Sequence, residues 1–357
     1  MSKRTIGILT GGGDCPGLNA AIRGIAKTAI NDYGWNVIGI LDGYDGLIHD
    51  NKRELSFKDV SNILPLGGTI LGTSNKANPF ACLDSGKPVD VSDHVIENLE
   101  KWKIDTLFCI GGDGTNIMAH QLSQKWPNVI GVPKTIDNDL RCTDQTFGFD
   151  TACNFVTESL DRIHSTAQSH HRVMVIEVMG RYAGWIALEG GMAGGGDIIL
   201  IPEMPFKWDG IMKSVDERSK SGKRFSIVVV SEGSHPEGED YCVREVVKDS
   251  PDPIRLGGIG QMVADRIERE TGNESRVTVL GHLQRGGSPS FFDRILATRY
   301  GVAATRLANE NIFGKMVALH GNDIVPVDLS EATSGLKLVT EDHSLVQIAR
   351  SLGTSFG

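Results

Sequence analysis

Several features are scarce in this chain, and each scarcity removes a class of function. The six cysteines, at positions 15, 82, 109, 142, 153 and 242, include no C-x-x-C pair. That argues against a zinc site or a disulfide scaffold and fits a reducing compartment. Basic residues number 36 against 45 acidic ones, a net charge of −9. Nucleic-acid binding needs cations spread over phosphates, so no nucleic-acid partner is expected. No apolar run nears the ~20 residues that span a bilayer. The opening Met1-Ser-Lys-Arg-Thr-Ile enters a strand at once, without a targeting segment. A cytoplasmic protein with no membrane partner is the expectation.

Glycine, by contrast, is abundant at 43 of 357 residues, and its placement is informative. Apolar β-rich runs at 5–9, 36–40, 106–110 and 128–132 alternate with helical patterns at 17–30 and 92–103. The rhythm then restarts, with helices at 154–169, 258–271 and 292–309 and strands at 172–178, 198–201, 226–230 and 276–280. This implies α/β architecture: two Rossmann-like three-layer α/β/α domains with mostly parallel sheets. The active site is expected in the cleft between them, since ligands bind beyond strand carboxyl ends in such folds. The stretch 234–253 is rich in Gly, Pro and acidic residues and reads as a surface insertion. The tail after Ser334 has weak helical character.

Three glycine- or carboxylate-rich loops follow predicted strands. Gly11-Gly12-Gly13-Asp14-Cys15-Pro16-Gly17 lacks the Gly-Lys-Ser/Thr of a Walker loop, and Pro16 replaces the third glycine of a dinucleotide fingerprint. Alone it fits a plain strand-to-helix turn as well as a phosphate loop. Gly111-Gly112-Asp113-Gly114-Thr115 is more specific. Its glycines let N–H groups approach phosphate oxygens, and Asp113 suits Mg²⁺ on a di- or triphosphate. Lipid and NAD kinases carry similar loops, so this one points to the donor and not to the acceptor. Pro133-Lys134-Thr135-Ile136-Asp137-Asn138-Asp139 crowds carboxylates and a hydroxyl where an attacking hydroxyl must lose its proton.

These loops occur in order with Glu177-Val-Met-Gly-Arg-Tyr-Ala-Gly184 and Gly281-His-Leu-Gln-Arg-Gly-Gly-Ser-Pro289. The five together resemble the 6-phosphofructokinase family that includes the bacterial ATP enzymes, from about Thr5 to about Ala308. The resemblance implies phosphorylation of fructose 6-phosphate in glycolysis, with ATP as donor, Mg²⁺ as cofactor and a homotetramer as the working form. It implies a donor domain of 1–148 plus about 284–334 and a sugar-phosphate domain of 149–283 plus about 335–357. It also assigns roles. Asp137 would be the general base, with Thr135, Arg181 and Gly12 as catalytic partners and Asp139 in the same charge cluster. Gly12, Gly112, Asp113, Gly114, Thr115 and Lys134 would hold the donor, with Asp113 as metal ligand. Met179, Gly180 and Glu232 would contact the sugar. His282 and Arg285 would take its 6-phosphate, joined by Arg172 and Arg276 from a neighbouring subunit.

Donor choice is read from two positions. Gly114 leaves room for an α-phosphate, whereas pyrophosphate users resemble Gly-Gly-Asp-Asp there. Lys134 matches the lysine of pyrophosphate users. Steric exclusion weighs more than an added cation, so ATP is expected and pyrophosphate is the alternative. Two departures concern the nucleotide: Thr73-Ser-Asn-Lys76-Ala-Asn-Pro-Phe80 replaces an arginine-containing loop, and Met118 stands where a glycine lies under adenine. Arg23, Lys27, Lys223 and Arg224 match part of an effector cluster, with His164 in place of an arginine; a solvated basic face fits equally well. His170 and His171 are adjacent and point apart on an extended chain, so chelation is not expected.

Overall fold

The computed structural model describes residues 3–84, 86–246 and 254–357. Part of the expected insertion, 247–253, lies outside the described residues. The chain forms two compact units: 1–136, 140–150 and 285–336, and then 137–139, 151–284 and 337–357. The three residues Asp137, Asn138 and Asp139 thus belong to the second unit, although the strand that leads to them belongs to the first.

In chain order come β1 (Thr5–Thr10), α1 (Leu18–Tyr33), β2 (Asn36–Ile40), α2 (Tyr44–Ile48), β3 (Lys52–Glu54), β4 (Cys82–Asp84) and β5 (Lys87–Val89). Next are α3 (Ser92–Lys101), β6 (Thr106–Gly111), α4 (Asp113–Lys125), β7 (Val129–Thr135) and β8 (Phe147–Gly148). Then follow α5 (Phe149–His170), β9 (Val173–Val178), α6 (Trp185–Ala193), β10 (Ile198–Leu200), α7 (Trp208–Lys220) and β11 (Ser226–Ser231). The chain continues with β12 (Val243–Val246), β13 (Ile254–Leu256), α8 (Ile259–Thr271) and β14 (Ser275–Val279). It finishes with α9 (Phe291–Asn309), β15 (Lys315–His320), β16 (Asp323–Asp328), α10 (Leu329–Ala332) and α11 (Ser344–Ser351).

In the first unit the strands run in the order β16-β15-β7-β6-β1-β2-β3. The inner pairs are parallel, and the β15–β16 and β2–β3 edges are antiparallel. Leu9, Leu107, Cys109 and Val129 meet Leu47, Val95, Leu99 and Leu122 in one core. Alternation sends Ile8, Phe108 and Ile130 to the opposite face, and all three are fully buried. A sheet covered on both faces needs apolar residues at every strand position, which explains the unbroken runs in the sequence.

The second unit holds the all-parallel sheet β10-β11-β9-β14. Its core joins Val173, Val175, Val228 and Val230 to Ile211 and Val215 of α7 and Val263 and Ile267 of α8. The mainly parallel α/β character expected from the sequence is therefore present.

Helices α1 and α9 approach closely through glycines. A Cβ on Gly24 would lie 2.9 Å from the Thr298 carbonyl oxygen, and one on Gly301 2.6 Å from the Ala21 carbonyl oxygen. Gly24→Ala should therefore destabilise the fold. Alanine gains about 1 kcal/mol of helix propensity, but overpacking against backbone that cannot yield costs about 1–3 kcal/mol. A lower urea midpoint at unchanged m-value is the expected result, and a raised midpoint would refute this packing.

Candidate active site

In the first unit, β1 and β6 pair with Thr10 opposite Ile110, and β6 and β7 with Gly111 opposite Pro133. The carboxyl ends of three neighbouring strands therefore carry the three loops singled out above. Such a position, where crossovers leave the sheet in opposite directions, is where α/β folds open a crevice.

The glycine loops are fixed by their own backbone. Gly11 N–H donates to Ile110 O at 2.9 Å, and Gly12 N–H donates to Ser74 O at 3.0 Å. The Thr73 hydroxyl donates to Gly12 O at 2.6 Å, and the Lys134 ammonium to Gly13 O at 2.5 Å. Lys134 is 3 % exposed, so it is a buried cation bound to the loop and not a free surface charge. Arg285 donates to Asp14 O at 3.2 Å. Gly12 has φ of +76°, a region open to glycine at little cost.

Thr115 is buried, packed over two glycines. A Cβ on Gly111 would lie 2.2 Å from its Cβ, and one on Gly11 2.6 Å from its hydroxyl. Gly112 caps α4, and a Cβ there would lie 3.8 Å from Thr135 Cβ. Thr135 itself is buried, and its carbonyl accepts a hydrogen bond from Thr146 at 2.7 Å. Gly114 faces open space: among the described residues, nothing outside its chain neighbours and its own helix backbone lies within 4 Å of a built Cβ. Lys76 is exposed, and Met118 packs against the core.

Asp113 opens α4 and is half-buried. Burial alone pushes its carboxyl above the ordinary 3.8. A carboxylate taken from water without a matching cation fits one that a divalent ion would neutralise. Among the described residues no cluster of three or more His, Cys, Asp or Glu side chains could hold a metal. A single half-buried carboxylate at a strand end suits Mg²⁺, which typically uses one or two carboxylates together with substrate phosphates.

A pH dependence follows. Because the folded-state pKa is raised, the folded chain binds the proton more tightly than the unfolded one. This contribution to stability falls as pH rises above 3.8 through the folded pKa. Asp113→Asn should raise Tm at neutral pH without divalent cation, with the difference closing as pH falls toward 3.8. A lower Tm for the variant at neutral pH would contradict the uncompensated charge.

In the second unit Asp137 and Asp139 flank Asn138, which is buried with φ of +51°. The left-handed region suits asparagine better than most side chains. The Lys337 ammonium donates to Asn138 Oδ1 at 3.0 Å. Met179 is buried, and its N–H donates to Gln284 Oε1 at 3.3 Å. Gly180, at φ of +135°, accepts the Ser231 hydroxyl at 2.6 Å and Gly233 N–H at 3.1 Å. A Cβ on Gly233 would lie 2.0 Å from the Arg181 carbonyl oxygen. The backbone around Arg181 is thus held from the end of β11, where Glu232 N–H also donates to Val178 O at 2.9 Å. The Arg181 guanidinium stands 5.1 Å from the Tyr182 ring centre.

Arg172 pairs with Glu274 at 2.8 Å, and Arg276 also pairs with Glu274. Glu274's carboxyl is held below its ordinary value chiefly by the Arg172 hydrogen bond. His282 is exposed. It belongs to the second unit, whereas Arg285, three residues on, belongs to the first.

The Phosphofructokinase family model matches residues 5–308. This chain belongs to the phosphofructokinase family. A protein named ATP-dependent 6-phosphofructokinase 2, from Clostridium perfringens (strain 13 / Type A), is 53% identical over 359 residues, 99% of this chain and 98% of that protein. A protein named pyrophosphate–fructose 6-phosphate 1-phosphotransferase, from Amycolatopsis mediterranei, is 49% identical over 335 residues, 94% of this chain and 96% of that protein. The crystal structure of Pichia pastoris phosphofructokinase in the T-state matches with a TM-score of 0.82 and 34% identity. That match covers 94% of this chain but 36% of the yeast chain. Among the described residues no helix is long and apolar enough to cross a membrane.

Sequence reasoning about this phosphofructokinase overlooked several structural residues. Gln284 is 1 % exposed and links Met179 N–H to the Gly281 carbonyl. Its position inside the Gly-His-Leu-Gln-Arg motif was the available signal. Thr73 was passed over because the 73–80 loop was read for its missing arginine. Of the residues considered for an effector, Lys27 lies over the Phe57 ring at 4.0 Å. His164 contacts Gly194 O at 2.8 Å through Nε2, a satisfied partner.

Proposed function

We propose that the chain is an ATP-dependent 6-phosphofructokinase, transferring the γ-phosphoryl group to the 1-hydroxyl of fructose 6-phosphate and yielding fructose 1,6-bisphosphate and ADP. The observation that carries this reading is the half-buried Asp113 at the start of α4, beside the open position at Gly114. The N-terminal end of α4 adds N–H groups and a favourable dipole for donor phosphates. Mg²⁺, when bound, supplies positive charge for the donor's oxygens, with Asp113 as its protein ligand.

Asp137 takes the proton from the attacking hydroxyl. Arg181 stabilises charge on the transferring group, Thr135 contacts it, and Gly12 with Lys134 supports it from the first loop. Gly112, Gly114 and Thr115 shape the donor loop, and Asp139 adds to the carboxylate cluster. Met179, Gly180 and Glu232 line the sugar. His282 and Arg285 take the 6-phosphate, with Arg172 and Arg276 contributed by a neighbouring copy in a homotetramer. Arginine's planar fork suits that phosphate. The donor-holding role falls to the first unit and the sugar-holding role to the second. A glycolytic role in the cytoplasm goes with this chemistry.

A second reading, pyrophosphate as donor, is favoured by the buried ammonium of Lys134 on the first glycine loop. Initial rates with ATP, ADP and pyrophosphate, side by side at saturating fructose 6-phosphate, separate the two. Faster turnover with ATP is expected. Turnover with pyrophosphate alone would establish the second reading instead.

A further inference from the structure

The tail beyond residue 336 returns to the second unit at Lys337, and this residue is hydrogen-bonded there through backbone and side chain. Its backbone N–H donates to Asp139 O at 2.8 Å. Its ammonium donates to Asn138 Oδ1 at 3.0 Å. Its carbonyl accepts the Trp185 indole N–H at 2.8 Å. The ammonium also lies 5.6 Å from the Trp185 ring centre. Two residues on, Val339 N–H donates to Glu203 Oε1 at 2.9 Å, and the same carboxylate accepts Gly184 N–H at 3.0 Å. One short piece of the tail therefore grips the turn that follows Asp137 and the loop that carries Arg181.

The tail is itself firmly seated. Val346 and Ala349 of α11 are buried. Ser355 bonds to the edge strand β10, accepting Ile199 N–H at 2.9 Å and donating to Asp197 O at 3.0 Å. An anchored strap that ends on a left-handed, buried asparagine has a specific mechanical effect. It keeps Asn138 in a backbone conformation that few side chains adopt, and Asp137 is the residue immediately before it.

We infer that Lys337 is a positioning residue for phosphoryl transfer: its ammonium on Asn138 and its N–H on Asp139 hold the turn that presents the Asp137 carboxylate. The inference rests on the reading of Asp137 as general base. Lys337 touches neither substrate in this role and acts only through the turn. Lys337→Met removes the ammonium bond and keeps both backbone bonds, so the fold has little reason to fail. Lys337→Arg restores a donor of the same charge.

The test uses full-length purified wild type, Lys337→Met, Lys337→Arg and Asp137→Ser, with kcat, KM for both substrates and Tm measured for each. Misplacing a catalytic group by about 1 Å can cost about 100-fold, so Lys337→Met should lose about 10–100-fold in kcat, with both KM values within about threefold and Tm nearly unchanged. Lys337→Arg should recover most of the loss. A kcat for Lys337→Met within about twofold of wild type, while Asp137→Ser is inactive, would overturn the positioning role and leave the base intact. A lowered Tm with unchanged kcat would overturn it too, by showing a purely structural role. Near-normal kcat in Asp137→Ser would instead remove the reading on which the inference rests. Should Lys337→Met not fold, Trp185→Phe removes the indole donor to the Lys337 carbonyl and trims the ring beside its ammonium, and a loss in kcat without a KM change is expected. No kcat change in folded Trp185→Phe would then reject the strap.

Discussion

Asp137→Ser lowers kcat by about 10²–10⁴-fold, the range typical of a general base, and leaves the KM for fructose 6-phosphate nearly unchanged. The asymmetry follows from where the carboxylate acts. The attacking hydroxyl loses its proton only as the new bond forms, so the lost interaction belongs to the transition state and not to the bound substrate. Serine is small and polar and leaves in place the Lys337 N–H bond to Asp139 O and the Lys337 ammonium bond to Asn138 Oδ1. Steady-state kinetics at saturating donor check the result. A kcat within tenfold of wild type would fall below the about 10²-fold minimum and remove Asp137 from the role of base.

Gly114→Asp abolishes most turnover with ATP while sparing the fold. Among the described residues, nothing outside its chain neighbours and its own helix backbone lies within 4 Å of a built Cβ, and the residue sits in the first turn of α4. Replacing glycine in a helix regains up to about 1 kcal/mol, and an added carboxylate near the helix start interacts well with the dipole. Tm should therefore hold or rise. For ATP the effect is opposite. A new negative charge about 4 Å from a phosphate oxygen costs about 4 kcal/mol at an effective dielectric of about 20. At about 1.4 kcal/mol per factor of ten, kcat/KM for ATP should fall by about 10²–10³-fold. Pyrophosphate has no α-phosphate and should lose far less. Parallel kcat/KM measurements with both donors decide it, and an unchanged value for ATP would show that the donor does not pass Gly114.

The sequence and the structure agree where burial is complete. β6 and β7 are buried at every position, so their apolar runs could not be anything but interior strands. The loops after them were legible because glycine and carboxylate in that density have few structural uses. Legibility fails where the signal is spread out. α6 is apolar apart from Glu189 and contains Gly190 and Gly191, so it lacks the periodicity that marks a helix. α7 went unread, as did the β15–β16 hairpin at one edge of the first sheet. The stretch 234–253 reads as a surface insertion rich in Gly, Pro and acidic residues, and β12 lies within it and pairs with β13.

His282 and Arg285 share one motif, and the 3₁₀ turn at Gly281–Arg285 that holds them is where the chain passes from one unit to the other. Arg285 meets the glycine loop through Asp14. The resemblance implies a donor domain that starts as 1–148, and the compact second unit also takes in the Asp137–Asp139 turn. Lys337 was invisible for a simpler reason. Its partner Asn138 is 199 residues away, and no local pattern of charge or hydropathy encodes a contact at that separation.

Phosphorus-31 NMR of the protein mixed with fructose 6-phosphate, ATP and Mg²⁺ addresses the proposed chemistry most directly. Fructose 1,6-bisphosphate and ADP should appear in equal amounts, with the new ester at carbon 1 and with Asp137→Ser producing almost none over the same interval. Intact ATP and an unmodified carbon 1, together with rapid bisphosphate formation once pyrophosphate replaces ATP, would contradict it.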